Sequence, residues 1–332
     1  MPEEKGNECA FLSVRGLTVE YTSSGEVIHA VNNVSFDLLK GKTFGLVGET
    51  GAGKTTIAKS ILRILPQPPA RVVSGEIYFA DKELLSLEED EMRGIRGKNI
   101  SMIFQDPMTA LNPIMRVGSQ IAEVIRKHDG VSRKQAEEKA GKMLEMVGIP
   151  GSRSREFPHQ FSGGMKQRVV IAMALACNPG LILADEPTTA LDVTIQAQVL
   201  DMIKDLKEKY NTAMIMITHD LGVVAQVCDD VAIVYAGEIV ETGTKEQIFT
   251  APRHPYTLGL FGSLPDLNSD VERLSPIRGL PPDPSKLPQG CSFGARCPNA
   301  DESCQRERSG LIDLGSGHLC RCRNLDKIGR EG

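Results

Sequence analysis

Residues 43–55 read Thr-Phe-Gly-Leu-Val-Gly-Glu-Thr-Gly-Ala-Gly-Lys-Thr, an apolar run that leads straight into a loop rich in glycine. The run 43–47 predicts a short buried strand, and apolar side chains at helical spacing over 54–65 predict a helix that Pro66 and Pro68 stop. The Gly-x-x-x-x-Gly-Lys-Thr spacing lies between the two and predicts a phosphate-binding loop. A merely glycine-rich turn is the alternative, and the flanking strand and helix argue against it.

Each residue type in this loop suits a phosphate. The glycines let backbone N–H groups turn inward around the β- and γ-phosphates, and the helix N-terminus adds a partial positive charge. Lys54 supplies a point charge to the same oxygens, and the Thr55 hydroxyl suits Mg²⁺. We expect the nucleotide to contact Gly48, Glu49, Thr50, Gly51, Ala52, Gly53, Lys54, Thr55 and Thr56.

A second apolar run, 181–184, ends in the two carboxylates of Asp185 and Glu186. The run predicts a short strand, so Asp185 should emerge beside the phosphate loop, where it can hold Mg²⁺ directly or through water. Glu186 follows, pointed toward the γ-phosphate, and can polarise an attacking water. A solvated turn is the alternative for adjacent carboxylates, and the preceding loop makes it the weaker one.

Residues 162–168 read Ser-Gly-Gly-Met-Lys-Gln-Arg and lie shortly before the acidic strand. The serine is typical of an N-cap, and we expect a helix from Ser162 to about Ala176. A serine and two glycines at a helix start offer free N–H groups, which make a second cradle for an anion. Together with a helix capped by Ser132, this segment predicts an all-helical insertion over about 106–176.

The rest of the chain predicts an α/β core. Residues 11–20 and 27–38 alternate apolar and polar side chains, which indicates antiparallel strands with one solvent-exposed face. Strands at 181–185, 213–217 and 231–235, with a helix at 194–209, imply a mostly parallel sheet. Prolines become frequent after residue 250, so we expect an ATPase-like domain over 1–250 and a small Pro- and Cys-rich extension over 251–332.

The composition excludes several classes of protein. The chain has 332 residues and a formal net charge of -5, which argues against a general nucleic-acid binder. No apolar run approaches the roughly 20 residues that cross a bilayer, and the polar, acidic N-terminus is not typical of a secretory signal. We therefore expect a cytoplasmic protein whose membrane role, if it has one, depends on a partner.

Five of the eight cysteines crowd into the last part of the chain: Cys291, Cys297, Cys304, Cys320 and Cys322. In a reducing cytoplasm such a group indicates a metal before disulfides. The spacing lacks the Cys-x2-Cys pairs of common zinc sites. Cys9, Cys177 and Cys228 are scattered and are expected to be small, structural side chains.

Residues 11 to about 250 resemble the ATPase domain of ABC transporters. Gln105 falls where that family has its Q-loop glutamine, Ser162-Gly163-Gly164 matches the signature with Met165 in place of the commoner glutamine, and Ala190-Leu191-Asp192 matches the D-loop. The resemblance makes Gln105 a contact of Mg²⁺, His219 the switch histidine beside Glu186, and Tyr21 the ring that stacks on adenine. It also implies that two subunits pair head to tail, so that each ATP lies between one phosphate loop and the other subunit's signature.

The C-terminal part resembles the extension of dipeptide and oligopeptide importer ATPases. The phrases 253–257, Arg-His-Pro-Tyr-Thr, and 290–298, Gly-Cys-Ser-Phe-Gly-Ala-Arg-Cys-Pro, carry this resemblance. Some members of the family bind a [4Fe-4S] cluster there. Aligned on Gly317-His318, the ligands are implied to be Cys291, Cys297, Cys304 and Cys322, with Cys320 a neighbour; structural zinc is the alternative.

The resemblance implies an ATP-hydrolysing subunit of an ABC importer, with ATP, Mg²⁺ and the [4Fe-4S] cluster as its cofactors. The implied partners are a second ABC ATPase subunit, identical or paralogous, two transmembrane permease subunits and, indirectly, an extracytoplasmic substrate-binding protein, with no nucleic acid. The protein would lie at the cytoplasmic face of the cell membrane. Dipeptides or oligopeptides are the expected cargo, and nickel or another small solute is the alternative cargo. A non-transport ABC ATPase is the alternative function.

Overall fold

The computed structural model describes residues 10–23, 25–189, 192–263 and 277–328. Ala190 and Leu191 of the predicted D-loop lie outside these ranges, as does Cys9. Among the residues described, no helix is both long enough and apolar enough to span a bilayer.

A four-stranded antiparallel sheet forms the first layer. Its order is β2-β1-β4-β5, with β1 at Leu12–Ser23, β2 at Glu26–Leu38, β4 at Ala70–Phe79 and β5 at Lys82–Glu83. Alternate side chains of β1, such as Leu12 and Val14, are fully buried, as the alternating pattern predicts. The antiparallel prediction is confirmed for β1 and β2, whereas β4 and β5 were not predicted.

The second layer is an eight-stranded sheet in the order β11-β12-β10-β9-β3-β8-β7-β6. Its strands are β3 at Thr43–Val47, β6 at Ile100–Ile103, β7 at Leu181–Asp185, β8 at Ala213–Thr218, β9 at Asp230–Tyr235, β10 at Glu238–Thr244, β11 at Ile312–Asp313 and β12 at Leu319–Cys320. The five neighbouring strands β9, β3, β8, β7 and β6 are parallel to one another. This confirms the mostly parallel sheet. Strands β10, β12 and β11 add an antiparallel edge, so the last part of the chain completes the core sheet.

Helices cover the faces of the larger sheet and fill the segment between β6 and β7. Those before β7 are α1 at Lys54–Ile61, α2 at Glu89–Ile95, α3 at Pro107–Ala110, α4 at Val117–Asp129, α5 at Arg133–Met146 and α6 at Gly163–Leu175. Those after it are α7 at Val193–Tyr210, α8 at Leu221–Val227, α9 at Lys245–Thr250, α10 at Pro255–Gly262 and α11 at Glu302–Arg306. Ser132 and Ser162 cap α5 and α6 as predicted, each accepting a backbone N–H.

Helix α1 is shorter than the helix predicted over 54–65. It ends at Ile61, and Arg63 adopts a positive φ of 51°. A left-handed residue cannot continue an α-helix, so the chain turns before it reaches the two prolines.

Side chains on the two faces of the larger sheet enter different hydrophobic cores. In β8, Met214 and Met216 pack with the helices, while Ile215 and Ile217 pack toward the antiparallel sheet. Because both faces are covered, the central strands are continuous apolar runs. In register, Val47 lies beside Thr218, and Asp185 lies beside Ile217. The residues that follow β3, β7 and β8 therefore meet at one edge of the sheet.

Candidate nucleotide site

The phosphate loop follows β3, and two of its glycines lie against other backbone segments. A Cβ on Gly48 would lie 2.1 Å from the carbonyl oxygen of Val234. A Cβ on Gly53 would lie 2.3 Å from the carbonyl oxygen of Ala30, and Gly53 has a φ of +100°. Larger residues do not fit at either position, so these glycines fix the path of the loop.

We expect Gly48→Ala to lower the free energy of unfolding by about 1–3 kcal/mol, because the added methyl must push the loop away from Val234. Urea unfolding of the nucleotide-free chain measures this change. Gly141→Ala is the matched control: it lies within α5 and has no atom within 4 Å of the added Cβ. That control should raise the free energy of unfolding by about 0.5–1 kcal/mol. Equal effects of the two changes would contradict the packing argument.

Lys54 is the first residue of α1 and folds back over the loop. Its Nζ donates to the carbonyl oxygens of Gly48 at 2.7 Å and Glu49 at 2.9 Å. Only 6% of the residue is exposed. Burial lowers the pKa of Lys54, and the carboxylates of Glu186 and Asp185 oppose that shift. No carboxylate in the described ranges forms an ion pair with this ammonium, and a buried ammonium of this kind suits an anionic ligand.

Thr55 and Asp185 come together beside Lys54. The Thr55 hydroxyl donates to the Asp185 carboxylate at 3.1 Å. Burial raises the pKa of Asp185, and the hydrogen bond from Thr55 opposes this. Hydroxyl and carboxylate oxygens at the end of a buried strand are ligands that Mg²⁺ prefers. This pair therefore fits the predicted cation.

Glu186 is the centre of a group of polar side chains at the sheet edge. Its carboxylate accepts from Gln105 Nε2 at 2.8 Å and Thr189 Oγ1 at 2.9 Å, and it lies 3.0 Å from His219 Nδ1. Burial raises the pKa of Glu186, but the hydrogen bonds from His219 and Thr189, together with the nearby positive charge of Lys54, lower it overall. The carboxylate is therefore ionised at neutral pH, as a group that accepts a proton from water must be. Thr189 was missed from the sequence.

Glu186 also has an unusual backbone conformation. Its φ is +46°, and its N–H donates to the carbonyl oxygen of Ile217 at 2.9 Å. A non-glycine residue in the left-handed region costs free energy and is often found at functional sites. Here the conformation ends β7 and turns the carboxylate toward the residues that follow β6 and β8.

The remaining predicted residues lie in separate positions. Ser162 is exposed and caps α6 by accepting the N–H of Met165. The predicted signature therefore lies at the start of a helix. Asp192 caps α7 by accepting the N–H of Ile195 at 3.0 Å. Tyr21 places its hydroxyl 3.4 Å from Thr56 Oγ1, so its ring lies at the start of α1.

Comparison with known proteins assigns the family. Residues 31–189 match the family described as ABC transporter, and residues 240–304 match the oligopeptide/dipeptide transporter, C-terminal region. The dipeptide transport ATP-binding protein DppD of Bacillus subtilis is 52% identical over 313 residues, which cover 94% of this chain and 93% of that protein. The chain belongs to the ABC transporter ATP-binding proteins. The oligopeptide transport ATP-binding protein OppD of Bacillus subtilis is 54% identical over 86% of this chain and 80% of that protein.

A solved ABC structure shows the same fold. It is a dimeric ATP-binding cassette in a post-hydrolysis state, bound to ADP and Pi, which has a TM-score of 0.64 and 28% sequence identity. The match covers 70% of this chain and 98% of that structure. The predicted ABC-type α/β fold is thereby confirmed.

In this ABC protein the C-terminal part also contacts the phosphate loop, which was not predicted from the sequence. Arg296 forms an ion pair with Glu49, 247 residues away, and the Tyr256 hydroxyl accepts the backbone N–H of Glu49 at 3.0 Å. Both residues lie in phrases that carried the family resemblance, but nothing in a single sequence pairs them with the loop.

The structure places four of the clustered cysteines near one another: Cys291, Cys297, Cys304 and Cys322. Burial, together with charge on the other three thiols, raises the pKa of Cys297 to about 11. Burial raises the pKa of Cys320, and the carboxylate of Glu241 and the thiol of Cys322 add to that shift. Within the described ranges, however, no group of His, Cys, Asp or Glu side chains is arranged to hold a metal ion. The structure therefore does not support the predicted [4Fe-4S] cluster or its zinc alternative.

Proposed function

We propose that this protein is the ATP-hydrolysing subunit of an ABC importer for dipeptides or oligopeptides. The observation that carries the proposal is the match of both parts of the chain, including 52% identity with a dipeptide transport ATP-binding protein over 94% of its length. The geometry agrees, because an ionised carboxylate, a buried lysine and a glycine loop meet at one edge of the sheet.

ATP binds the phosphate loop in this proposal. Backbone N–H groups of residues 48–56 and the Lys54 ammonium hold the β- and γ-phosphates, while Tyr21 stacks on the adenine. Thr55 and Asp185, with Gln105, would hold Mg²⁺, which would supply positive charge against the phosphates. The buried Lys54 and the bond between Thr55 and Asp185 support these roles.

Hydrolysis then depends on Glu186 and the groups that hold it. Its carboxylate orients a water in line with the γ-phosphate and accepts a proton from it, while His219 and Gln105 fix the orientation of that carboxylate. The contacts of 2.8 Å to Gln105 and 3.0 Å to His219 support the assignment.

The partners follow from the signature at Ser162–Gly164. Two ABC subunits, identical or paralogous, pair head to tail, so each signature contacts the ATP held by the other subunit's phosphate loop, with Asp192 of the D-loop nearby. Closure and opening of this dimer drive alternating access in two transmembrane permease subunits, which receive cargo from an extracytoplasmic binding protein. The chain would thus act peripherally at the cytoplasmic face of the membrane.

The division of the chain into an ATPase domain over 1–250, with its helical insertion at about 106–176, and an extension over 251–332 is part of the same proposal. What supports it is the composition change near residue 250 and the separate family match over 240–304. The [4Fe-4S] cluster stays a prediction from the resemblance alone, and no step above depends on it.

Uptake by cells tests the cargo. A strain that lacks this chain should lose uptake of a labelled dipeptide or oligopeptide, and the wild-type gene should restore it while a Lys54→Met gene does not. Loss of nickel uptake with unchanged peptide uptake would favour the nickel alternative. Co-purification with nucleic acid instead of membrane subunits would favour a non-transport ATPase.

A further inference from the structure

We propose that Arg296 is a positioning residue for the phosphate loop, through which the C-terminal segment sets the affinity for ATP. The inference rests on the proposed function, since it concerns the same nucleotide site. It adds a residue that lies outside the ABC-matched part of the chain and within the match to the C-terminal region.

The contact between Arg296 and Glu49 is a bidentate ion pair. Arg296 Nη1 lies 2.9 Å from Glu49 Oε2, and Nη2 lies 3.0 Å from Oε1. The parallel arrangement fixes direction as well as distance, which a lysine at the same position would not do. Glu49 is the second residue of the loop, directly after Gly48.

Arg296 is itself held in place by several contacts besides Glu49. Its side chain is 6% exposed. Nη1 also lies 3.3 Å from the Tyr235 hydroxyl, Nε donates to the carbonyl oxygen of Arg278 at 3.1 Å, and the guanidinium lies 5.9 Å from the centre of the Phe293 ring. A buried, multiply bonded guanidinium is a rigid anchor. The ion pair with Arg296 therefore restrains the position of the Glu49 carboxylate.

The backbone of Glu49 is held as well, by groups on both sides. Its N–H donates to the hydroxyl of Tyr256, a fully buried residue of α10. Its carbonyl oxygen accepts from Lys54 Nζ at 2.9 Å. Two of these three attachments, through Arg296 and Tyr256, come from residues after 250. The C-terminal segment thus fixes the peptide that begins the phosphate loop.

The expected consequence is preorganisation of the loop. A loop that is already ordered loses less conformational entropy when it closes around phosphates, so it binds them more tightly. Within the part of the chain that the structure describes, the hydrogen-bond partners of Arg296 do not include the groups around Glu186. Its loss should therefore weaken binding while the rate of hydrolysis at saturating ATP changes little.

The test measures the dissociation constant for Mg-ATP and the hydrolysis rate at saturation with the full-length chain. Arg296→Ala should raise the dissociation constant about tenfold, or about 1.4 kcal/mol, and Arg296→Lys should raise it less. Glu49→Gln should have a similar effect, and the double variant Glu49→Gln/Arg296→Ala should be no worse than either single variant.

Arg321→Ala is the matched control for general loosening of the C-terminal segment. Arg321 Nε donates to the carbonyl oxygen of Ile239 at 3.0 Å and Nη1 to that of Ser309 at 3.1 Å, neither of which is in the loop. This variant should lower the melting temperature yet leave the dissociation constant near that of the wild type.

The possible results separate the two proposals. If the wild-type chain binds Mg-ATP and Arg296→Ala binds it equally tightly, the positioning role is wrong and the proposed function stands. Additive effects of Glu49→Gln and Arg296→Ala, or an equal loss in Arg321→Ala, would also overturn the positioning role. A wild-type chain that does not bind Mg-ATP would overturn the proposed function itself.

Discussion

Replacement of Lys54 by methionine is expected to raise the dissociation constant for Mg-ATP by at least about 100-fold, or about 2.7 kcal/mol. The side chain is buried at the start of α1, and its ammonium bonds to carbonyl oxygens of the loop. When phosphates are present, the same ammonium forms charge-assisted hydrogen bonds with them in a site of low dielectric, where such bonds are strongest. Methionine keeps most of the apolar stem and removes the ammonium, with its charge and its N–H donors.

Thermal stability of the nucleotide-free variant distinguishes a loss of Mg-ATP affinity from misfolding. Burial lowers the pKa of Lys54, which means that the folded state disfavours the charged form. The methionine relieves this cost but loses the two hydrogen bonds to the loop, so the melting temperature should change little. Titration with a fluorescent ATP analogue and thermal unfolding of the same sample check both expectations.

Lys134→Met is the control for loss of a positive charge. Lys134 is exposed on α5 in the segment between β6 and β7. The Lys134→Met variant should bind Mg-ATP as tightly as the wild type does. An undiminished affinity of the Lys54 variant for Mg-ATP would show that the loop is not the phosphate site.

Local patterns were sufficient to predict the elements that position the site. The apolar strand before the loop, the acidic end of β7 and the serine caps of α5 and α6 all depend on neighbouring residues, so a single sequence contains the information. Because parallel strands end at a shared edge of the sheet, the sequence also predicted that Asp185 lies beside the phosphate loop, where it bonds to Thr55. The end of α1 was misjudged, because the left-handed conformation of Arg63 is not signalled by a proline or a glycine.

The contacts made by the C-terminal segment could not be predicted in the same way. Arg296 and Glu49 are 247 residues apart, and their pairing depends on how the chain packs after β10 has joined the core sheet. Long-range pairs of this kind leave no periodic pattern in either segment. The approach of the four cysteines was implied by family resemblance, whereas the spacing alone left the kind of site open.

Glu186→Gln is expected to lower the rate of ATP hydrolysis at saturation by about 10²- to 10⁴-fold, the range that a general base contributes. Glutamine has nearly the same shape, so it can keep a hydrogen bond to Thr189 and occupy the same space beside His219. It cannot accept a proton from water. In the described structure Lys54 bonds to loop carbonyl oxygens and Glu186 to other side chains, so the affinity for Mg-ATP should be retained.

The variant also distinguishes a base from a residue that merely orders the site. Phosphate release in steady state and Mg-ATP titration, measured on the same preparation, should show a lost rate with an unchanged dissociation constant. Thr189→Val is the matched control, since it removes the hydrogen bond of 2.9 Å to the same carboxylate but leaves the carboxylate itself. It should cost only a small part of the rate, because Gln105 and His219 still hold Glu186 in place. Hydrolysis by Glu186→Gln at the wild-type rate would mean that another group activates the water, and an equal loss in both variants would mean that orientation, not proton transfer, limits the reaction.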